Sequence, residues 1–170
     1  MSEELRPHEI KPSTTMLRRW GLNLWSSTII IVRHADPNSA GTDPGLSAVG
    51  VTRANLLAHM LQDEVLSAVF VTQFRRSTET GSPVAVAAGL VLTPYTAADT
   101  AGLITAIRTN YANKTVLVVA HSNTVDDIAA GLGTPGVGEL GPTQFDWIFV
   151  VARTWCGTRL CRMRYGVSTP

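Results

Sequence analysis

The sequence predicts an α/β protein, a three-layer α/β/α sandwich on a mostly parallel central sheet with an antiparallel edge. Three observations carry this. Two short runs, at 28–32 and 115–120, are apolar at nearly every position and rich in branched side chains, the pattern of strands buried on both faces. Strand-like and helix-like stretches alternate through three units, as a parallel sheet with helical crossovers requires. Near the C-terminus, Phe145–Arg153 and Thr158–Tyr165 read as two strands joined tightly at Cys156-Gly157, hence antiparallel and suited to extend one sheet edge.

Each element has its own signal. Residues 1–27 are expected to form an N-terminal arm with little structure of its own, packed by Trp20, Leu22 and Trp25. Residues 28–170 are expected to form a single domain. Ile29, Ile30, Ile31 and Val32 form the first strand, which ends abruptly in Arg33-His34-Ala35-Asp36. Pro37 to Gly45, with Asn38, Ser39, Gly41, Asp43 and Pro44, has the composition of a loop. Ser47 then caps a helix whose apolar positions, Val51, Ala54, Leu57, Met60 and Leu61, recur at helical spacing.

Ser67–Thr72 is the second strand and runs toward Arg75-Arg76. The helix expected over Arg76–Gly89 contains Gly81 and Pro83, which predict a kink or restart. Leu90–Thr93 is a short strand, and Asp99 opens a helix to about Tyr111. Thr115–Ala120 is the second fully buried strand, ending in His121-Ser122-Asn123-Thr124 before a short helix to Leu132. Gly131–Gly141, with five glycines and a proline, is loop.

The bulk composition narrows the function classes. A chain of 170 residues suits one domain and buries about 70% of its unfolded surface. A net charge of +1 provides no broad field for nucleic acid or membrane surfaces. The longest nearly apolar run, Pro83–Leu92, is too short to span a bilayer. Arg18-Arg19 suggests a twin-arginine export signal, but no apolar segment follows, so the expected location is cytoplasmic. Cys156 and Cys161 lack zinc-site spacing and read either as two reduced thiols or as a local disulfide across the hairpin. No feature specifies an oligomeric state.

Three strands end in chemistry: the first at Arg33-His34, the second before Arg75-Arg76, the third at His121. Parallel strands place all three ends at one sheet edge, where open α/β folds bind ligands. Two imidazoles and two guanidiniums would converge there. A phosphoryl group is the natural guest, because the planar arginine fork pairs with its oxygens. A helix N-terminus after His121 would add backbone N–H donors, and Ser122 and Asn123 become candidate phosphate contacts.

These residues carry a resemblance. Arg33-His34-Ala35 on a buried strand, Leu46-Ser47 with Gly50 and Ala54, Thr72 through Arg76 to Thr80, and Val116–Thr124 together resemble the histidine phosphatase superfamily, with its phosphoglycerate mutase-like fold. The closing Phe149-Val150-Val151 and Arg164-Tyr165-Gly166 resemble its short bacterial, phosphohistidine-phosphatase-like members. The resemblance implies that His34 is the nucleophile and forms a phosphohistidine, while Arg33, Arg76 and His121 bind the phosphoryl oxygens. His121, if protonated, is a further cation. Ser122 and Asn123 assist, and Arg75 is exposed or secondary. It implies no cofactor and no metal, since the arginines supply the positive charge.

The chain also departs from that pattern. Larger members place a Glu on an insertion after the third strand to protonate the leaving oxygen. The segment 90–113 contains no Glu, and Asp99 is its one carboxylate. Asp36 is the other candidate acid. A site poor in general acid favours expelling imidazole or phenoxide over alkoxide, because the conjugate acids have pKa values near 6.5 and 10. The missing insertion, which would form a lid, and the absence of the mutase-type asparagine at Ala40 argue against mutase action.

The expected function is hydrolysis of a phosphomonoester or phosphoramidate on a phosphorylated small molecule or a phosphohistidine protein. A phospho-ligand-binding regulatory module with little turnover is the alternative. A metal hydrolase using His34 and His121 is a third reading that lacks a ligand cluster.

Overall fold

A computed structural model describes residues 25–39 and 41–169. The expectations for Arg18, Arg19, Trp20, Leu22 and Ala40 lie outside the described residues. Among the described residues, six strands form one sheet: β1 (Ser26–Arg33), β2 (Leu66–Thr72), β3 (Leu92–Tyr95), β4 (Thr115–Ala120), β5 (Trp147–Thr154) and β6 (Gly157–Arg164). Four helices of the described residues cover it: α1 (Ala48–Met60), α2 (Arg75–Ala87), α3 (Thr100–Asn110) and α4 (Val125–Gly131). The strand order is β3-β2-β4-β1-β5-β6. β3, β2, β4 and β1 are mutually parallel, and β5 and β6 add the antiparallel edge.

The sandwich follows from the two-residue period of buried strands. Ile29, Ile31, Phe70, Val116 and Val118 point to one face and pack with Leu103, Ile107 and Ile128 of α3 and α4. Ile30, Val32, Val69, Val71, Leu117 and Val119 point to the other and pack with Leu57, Val84 and Ala85 of α1 and α2. Both faces are therefore covered, which is why β1 and β4 are apolar at successive positions.

Three details differ from expectation. β1 begins at Ser26, paired to Thr154, so two residues assigned to the arm belong to the sheet. β3 lies two residues later than expected and includes Pro94, which is tolerated because β3 is an edge strand. α2 runs unbroken through Gly81 and Pro83. A Cβ at Gly81 would stand 2.6 Å from Val71 Cγ1, so glycine here permits close packing of α2 on β2. Pro83 removes one helical N–H, but Val84 and Ala85 beyond it are buried and hold the last turn down.

The topology fixes the site. β4 lies between β1 and β2, so the carboxyl ends of all three are neighbours. β5 runs antiparallel to β1, with Ile148 opposite Val32, so residues just before β5 arrive at the end of β1.

Candidate active site

The first shared edge lies between β1 and β4. His34 N–H donates to the Ala120 carbonyl at 2.9 Å, continuing the ladder one step past Arg33. This sets the His34 and His121 rings edge to face, with centroids 5.2 Å apart. Arg33, His34 and His121 are all buried.

His34 has a defined chemical orientation. Its Nδ1 lies 2.9 Å from the Ala35 carbonyl, an oxygen that only accepts, so Nδ1 carries the proton. Nε2 is left with its lone pair, and Arg76 Nε donates to it at 3.1 Å. Burial lowers the His34 pKa to about 3; the hydrogen bond to the Ala35 carbonyl is the next largest influence and opposes it, and the charges of His121, Arg33 and Arg76 lower it further. Burial first, then Arg76 and Arg33, lowers His121 to about 4. Both imidazoles are therefore neutral at physiological pH. His121 would be a further cation only if protonated; burial first, and then the two guanidiniums, hold it neutral.

The supporting residues are buried hydroxyls. Thr80 Oγ1 accepts from the Ala35 N–H at 2.9 Å and donates to the Arg76 carbonyl at 2.7 Å, tying the backbone beside His34 to the first turn of α2. Ser77 Oγ accepts from Thr72 N–H and donates to Val119 O, joining α2 to β2 and β4. Thr72 Oγ1 and His121 Nε2 share a hydrogen bond at 2.9 Å. Thr124 Oγ1 accepts from His121 N–H at 3.0 Å.

Arg33 is turned toward the 141–145 segment. Its NH1 donates to Gly141 O at 2.7 Å and Gln144 O at 3.2 Å, while its Nε is buried without an acceptor among the described residues. Burial and the neighbouring Arg76 lower its pKa to about 10, leaving it charged at neutral pH. Arg76 also lies 3.7 Å from Asp43, a carboxylate of the loop after β1. Arg75 points outward to Glu79 at 2.6 Å.

The other expected residues are placed differently. Asp36 is paired with Arg53 at 2.7 Å, and Asp99 accepts from Gly102 N–H at 2.8 Å as the N-cap of α3. Neither carboxylate hydrogen-bonds His34, His121, Arg33 or Arg76, although the Asp36 charge acts on Arg33. The link between β3 and α3 is only residues 96–99. Ser122 uses its carbonyl to accept from Leu140 N–H, and Asn123 is exposed. Cys156 and Cys161 are both free thiols. Among the described residues, no group of three or more His, Cys, Asp or Glu could hold a metal ion. No described helix is long and apolar enough to cross a membrane.

Two site residues were not singled out in the sequence. The Phe145 ring lies 4.0 Å from the Arg33 guanidinium carbon and 5.8 Å from the His34 ring. The Phe74 ring lies 4.5 Å from the Arg76 guanidinium carbon and 5.3 Å from the His121 ring. The signal for Phe74 was its place between Thr72 and Arg76. For Phe145 it was its place at the start of the expected Phe145–Arg153 strand, although β5 begins two residues later, at Trp147.

Fold and site together define an α/β domain that gathers two histidines and two arginines at the carboxyl ends of adjacent parallel strands. Residues 29–99, which contain Arg33, His34 and Arg76, match the family model of the histidine phosphatase superfamily (branch 1). His121 lies beyond that match and is brought in by β4. No protein of curated function matches the chain in sequence. Among solved structures, mycobacterial glucosyl-3-phosphoglycerate phosphatase is similar with a TM-score of 0.64 at 15% identity, over 84% of this chain and 100% of that one. The protein histidine phosphatase SixA, solved with tungstate, is similar with a TM-score of 0.61 at 20% identity, over 81% of this chain and 96% of that one. The fold is phosphoglycerate mutase-like, and the likeness to the superfamily rests on sequence and architecture alike.

Proposed function

We propose that this protein is a phosphatase that hydrolyses a phosphomonoester or phosphoramidate through a phosphohistidine on His34. The carrying observation is the state of His34: proton on Nδ1, lone pair on Nε2, imidazole neutral, and a guanidinium at that nitrogen. A neutral imidazole is a competent nucleophile, and the adjacent cations match the charge of an incoming phosphoryl group.

In the first step the Nε2 lone pair forms a bond to phosphorus as the bond to the leaving oxygen or nitrogen breaks. The leaving group takes the electron pair of the broken bond and draws its proton from solvent water. The imidazolium so formed keeps its Nδ1–H on the Ala35 carbonyl, which stabilises the positive charge. In the second step water attacks phosphorus and releases a proton to solvent, the P–Nε2 bond breaks, and its electron pair returns to the imidazole. Inorganic phosphate departs. Arg33 and Arg76 hold the equatorial oxygens, where charge is spread in a loose transition state. His121, anchored by Thr72, is a further donor and gains a proton more readily once a phosphoryl dianion is bound. Ser122 and Asn123 are peripheral contacts. No metal or cofactor enters these steps.

The engagement of Asp36 and Asp99 elsewhere supports a site poor in general acid. Such a site favours a phosphohistidine protein or an activated small-molecule phosphoester over an alkyl ester. A regulatory module that binds phospho-ligands with little turnover is the second reading, supported by the same shortage of acid. The deciding experiment uses p-nitrophenyl phosphate and a phosphohistidine peptide, with wild type and His34→Ala, each with and without EDTA. Turnover that resists EDTA and is lost in the variant is expected. Equal, negligible rates in both proteins would leave the binding module as the better account.

A further inference from the structure

The phosphate cluster is bounded by aromatic rings. Phe145, His34, His121 and Phe74 form a continuous row with successive centroids 5.8, 5.2 and 5.3 Å apart. The two imidazoles are buried, whereas both phenylalanines at the ends of the row are only partly covered. Each phenylalanine also lies against one site arginine. The cluster of His34, His121, Arg33 and Arg76 thus carries partly exposed apolar ring surface at both ends.

Both walls are held in place. Phe74 sits at the N-cap position of α2, where the buried Ser77 and Thr72 fix the turn. Phe145 is fixed by its neighbour Asp146, a carboxylate only 1% exposed. Asp146 accepts from Arg164 at 2.8 and 2.9 Å and from the Thr169 hydroxyl at 2.7 Å. Phe145 N–H donates to the same hydroxyl at 3.1 Å, and Asp146 O accepts from Tyr165 N–H at 2.9 Å. The aromatic wall is therefore preformed and costs little to order on binding.

We infer that Phe74 and Phe145 determine specificity by contacting the leaving group, and that they favour substrates whose phosphoryl group is carried on a flat ring, an imidazole or a phenol, over those carrying it on an alkyl or sugar hydroxyl. This deepens the phosphatase reading and rests on it. A sugar leaving group needs fixed hydrogen-bonding partners around the phosphate. The nearby Gln144 directs its side-chain oxygen to Gly141 N–H instead, at 3.0 Å. A ring leaving group stacks on, or meets the edge of, either phenylalanine, and pairs of this kind carry specific stabilisation beyond burial.

The test replaces each ring with an aliphatic side chain, in Phe74→Leu and Phe145→Leu. The kcat/KM values for phenyl phosphate and butyl phosphate are compared with wild type. Some loss shared by both substrates reflects the guanidinium contacts. The phenyl-to-butyl ratio reports the leaving group, and it is expected to fall roughly 3- to 10-fold in each variant. A ratio that stays within twofold of wild type, or rises, overturns the inference. Binding of phenylphosphonate against butylphosphonate, which cannot turn over, gives a second readout. Wild type is expected to prefer the phenyl ligand and both variants to lose that preference. No preference in wild type also overturns the inference. A wild type that binds phenylphosphonate selectively but hydrolyses nothing would refute the phosphatase reading alone.

Discussion

Arg76 Nε donates to His34 Nε2 across 3.1 Å, so a guanidinium occupies the nitrogen proposed to attack phosphorus. The contact joins the start of α2, the helix that follows β2, to the end of β1, although β4 separates β2 from β1 in the sheet. When a phosphoryl group enters, that N–H has an oxygen to turn to, and the lone pair becomes available. Replacing Arg76 by Gln is expected to reduce kcat by about 10²–10³, the usual effect of losing one transition-state donor. Arg76→Lys is expected to recover little, because an ammonium lacks the planar fork. Steady-state kinetics on p-nitrophenyl phosphate would check both.

The depressed imidazoles set a pH dependence with a defined sign. In the folded chain His34 and His121 lose their protons near pH 3 and 4, against about 6.5 for a free imidazole. The unfolded chain therefore binds more protons than the native chain between those values and about 6.5. Stability should be fully present above pH 6.5 and decline as pH falls toward 4 and then 3. Chemical denaturation from pH 7 to 4 should show a smaller decline in His34→Gln and His121→Gln. In kcat/KM, the acid limb assigned to the free enzyme's nucleophile should lie below pH 5. A limb at 6.5 that persists with substrates of different phosphate ionisation would contradict the buried, neutral state.

Asp36 and Asp99 are separated by what their carboxylates touch. Arg53 has a side chain only 2% exposed and is balanced by Asp36 at 2.7 Å, while also donating to the Tyr165 and Val167 carbonyls. Removing the partner of such a buried cation costs about 3–5 kcal/mol, with Asp36→Asn toward the lower end because its carboxylate is 18% exposed. The expected result is lower stability with little change in the ratio of phosphoramidate to alkyl-ester turnover. Selective loss of alkyl-ester hydrolysis would restore Asp36 as the acid.

Asp99 caps α3, so Asp99→Ala should destabilise by about 1 kcal/mol while Asp99→Asn, itself a good cap, should be nearly neutral. Neither substitution should alter the ratio of turnover between the two substrate types. Thermal unfolding alongside kinetics separates these outcomes.

Thr80 tests the link between nucleophile and clamp. Thr80→Val strands the buried Ala35 N–H and removes a donor to Arg76 O. A loss of about 1–3 kcal/mol is expected, with Thr80→Ser restoring most of it. Amide hydrogen exchange at Ala35 should rise in the valine variant and return in the serine variant.

Much of the site was legible because its chemistry sits where hydrophobic patterning stops. Ile29–Val32 and Val116–Ala120 are apolar runs that end in His34 and His121, and parallel pairing then forces those ends together. Arg76 was legible by its place after β2. Phe145 was not, because it depends on β5 docking antiparallel beside β1 and on the Asp146, Arg164 and Thr169 contacts that hold it. The engagement of Asp36 with Arg53 was equally hidden, since it requires α1 to lie against the chain leaving His34. Gly50 allows that approach, as a Cβ there would collide with the Asp36 carbonyl. The state of His121 could not be read from residue type, because burial beside two guanidiniums determines it.

The central claim is that phosphorus becomes bonded to His34 Nε2. Rapid quenching of the enzyme during turnover, under alkaline conditions that preserve phosphohistidine, followed by peptide mass spectrometry, tests it directly. A phosphoryl group on the peptide containing His34, absent in His34→Ala and formed as fast as turnover, is the predicted result. Undiminished turnover in His34→Ala, with no phosphoryl group on that peptide in the wild type, would contradict it.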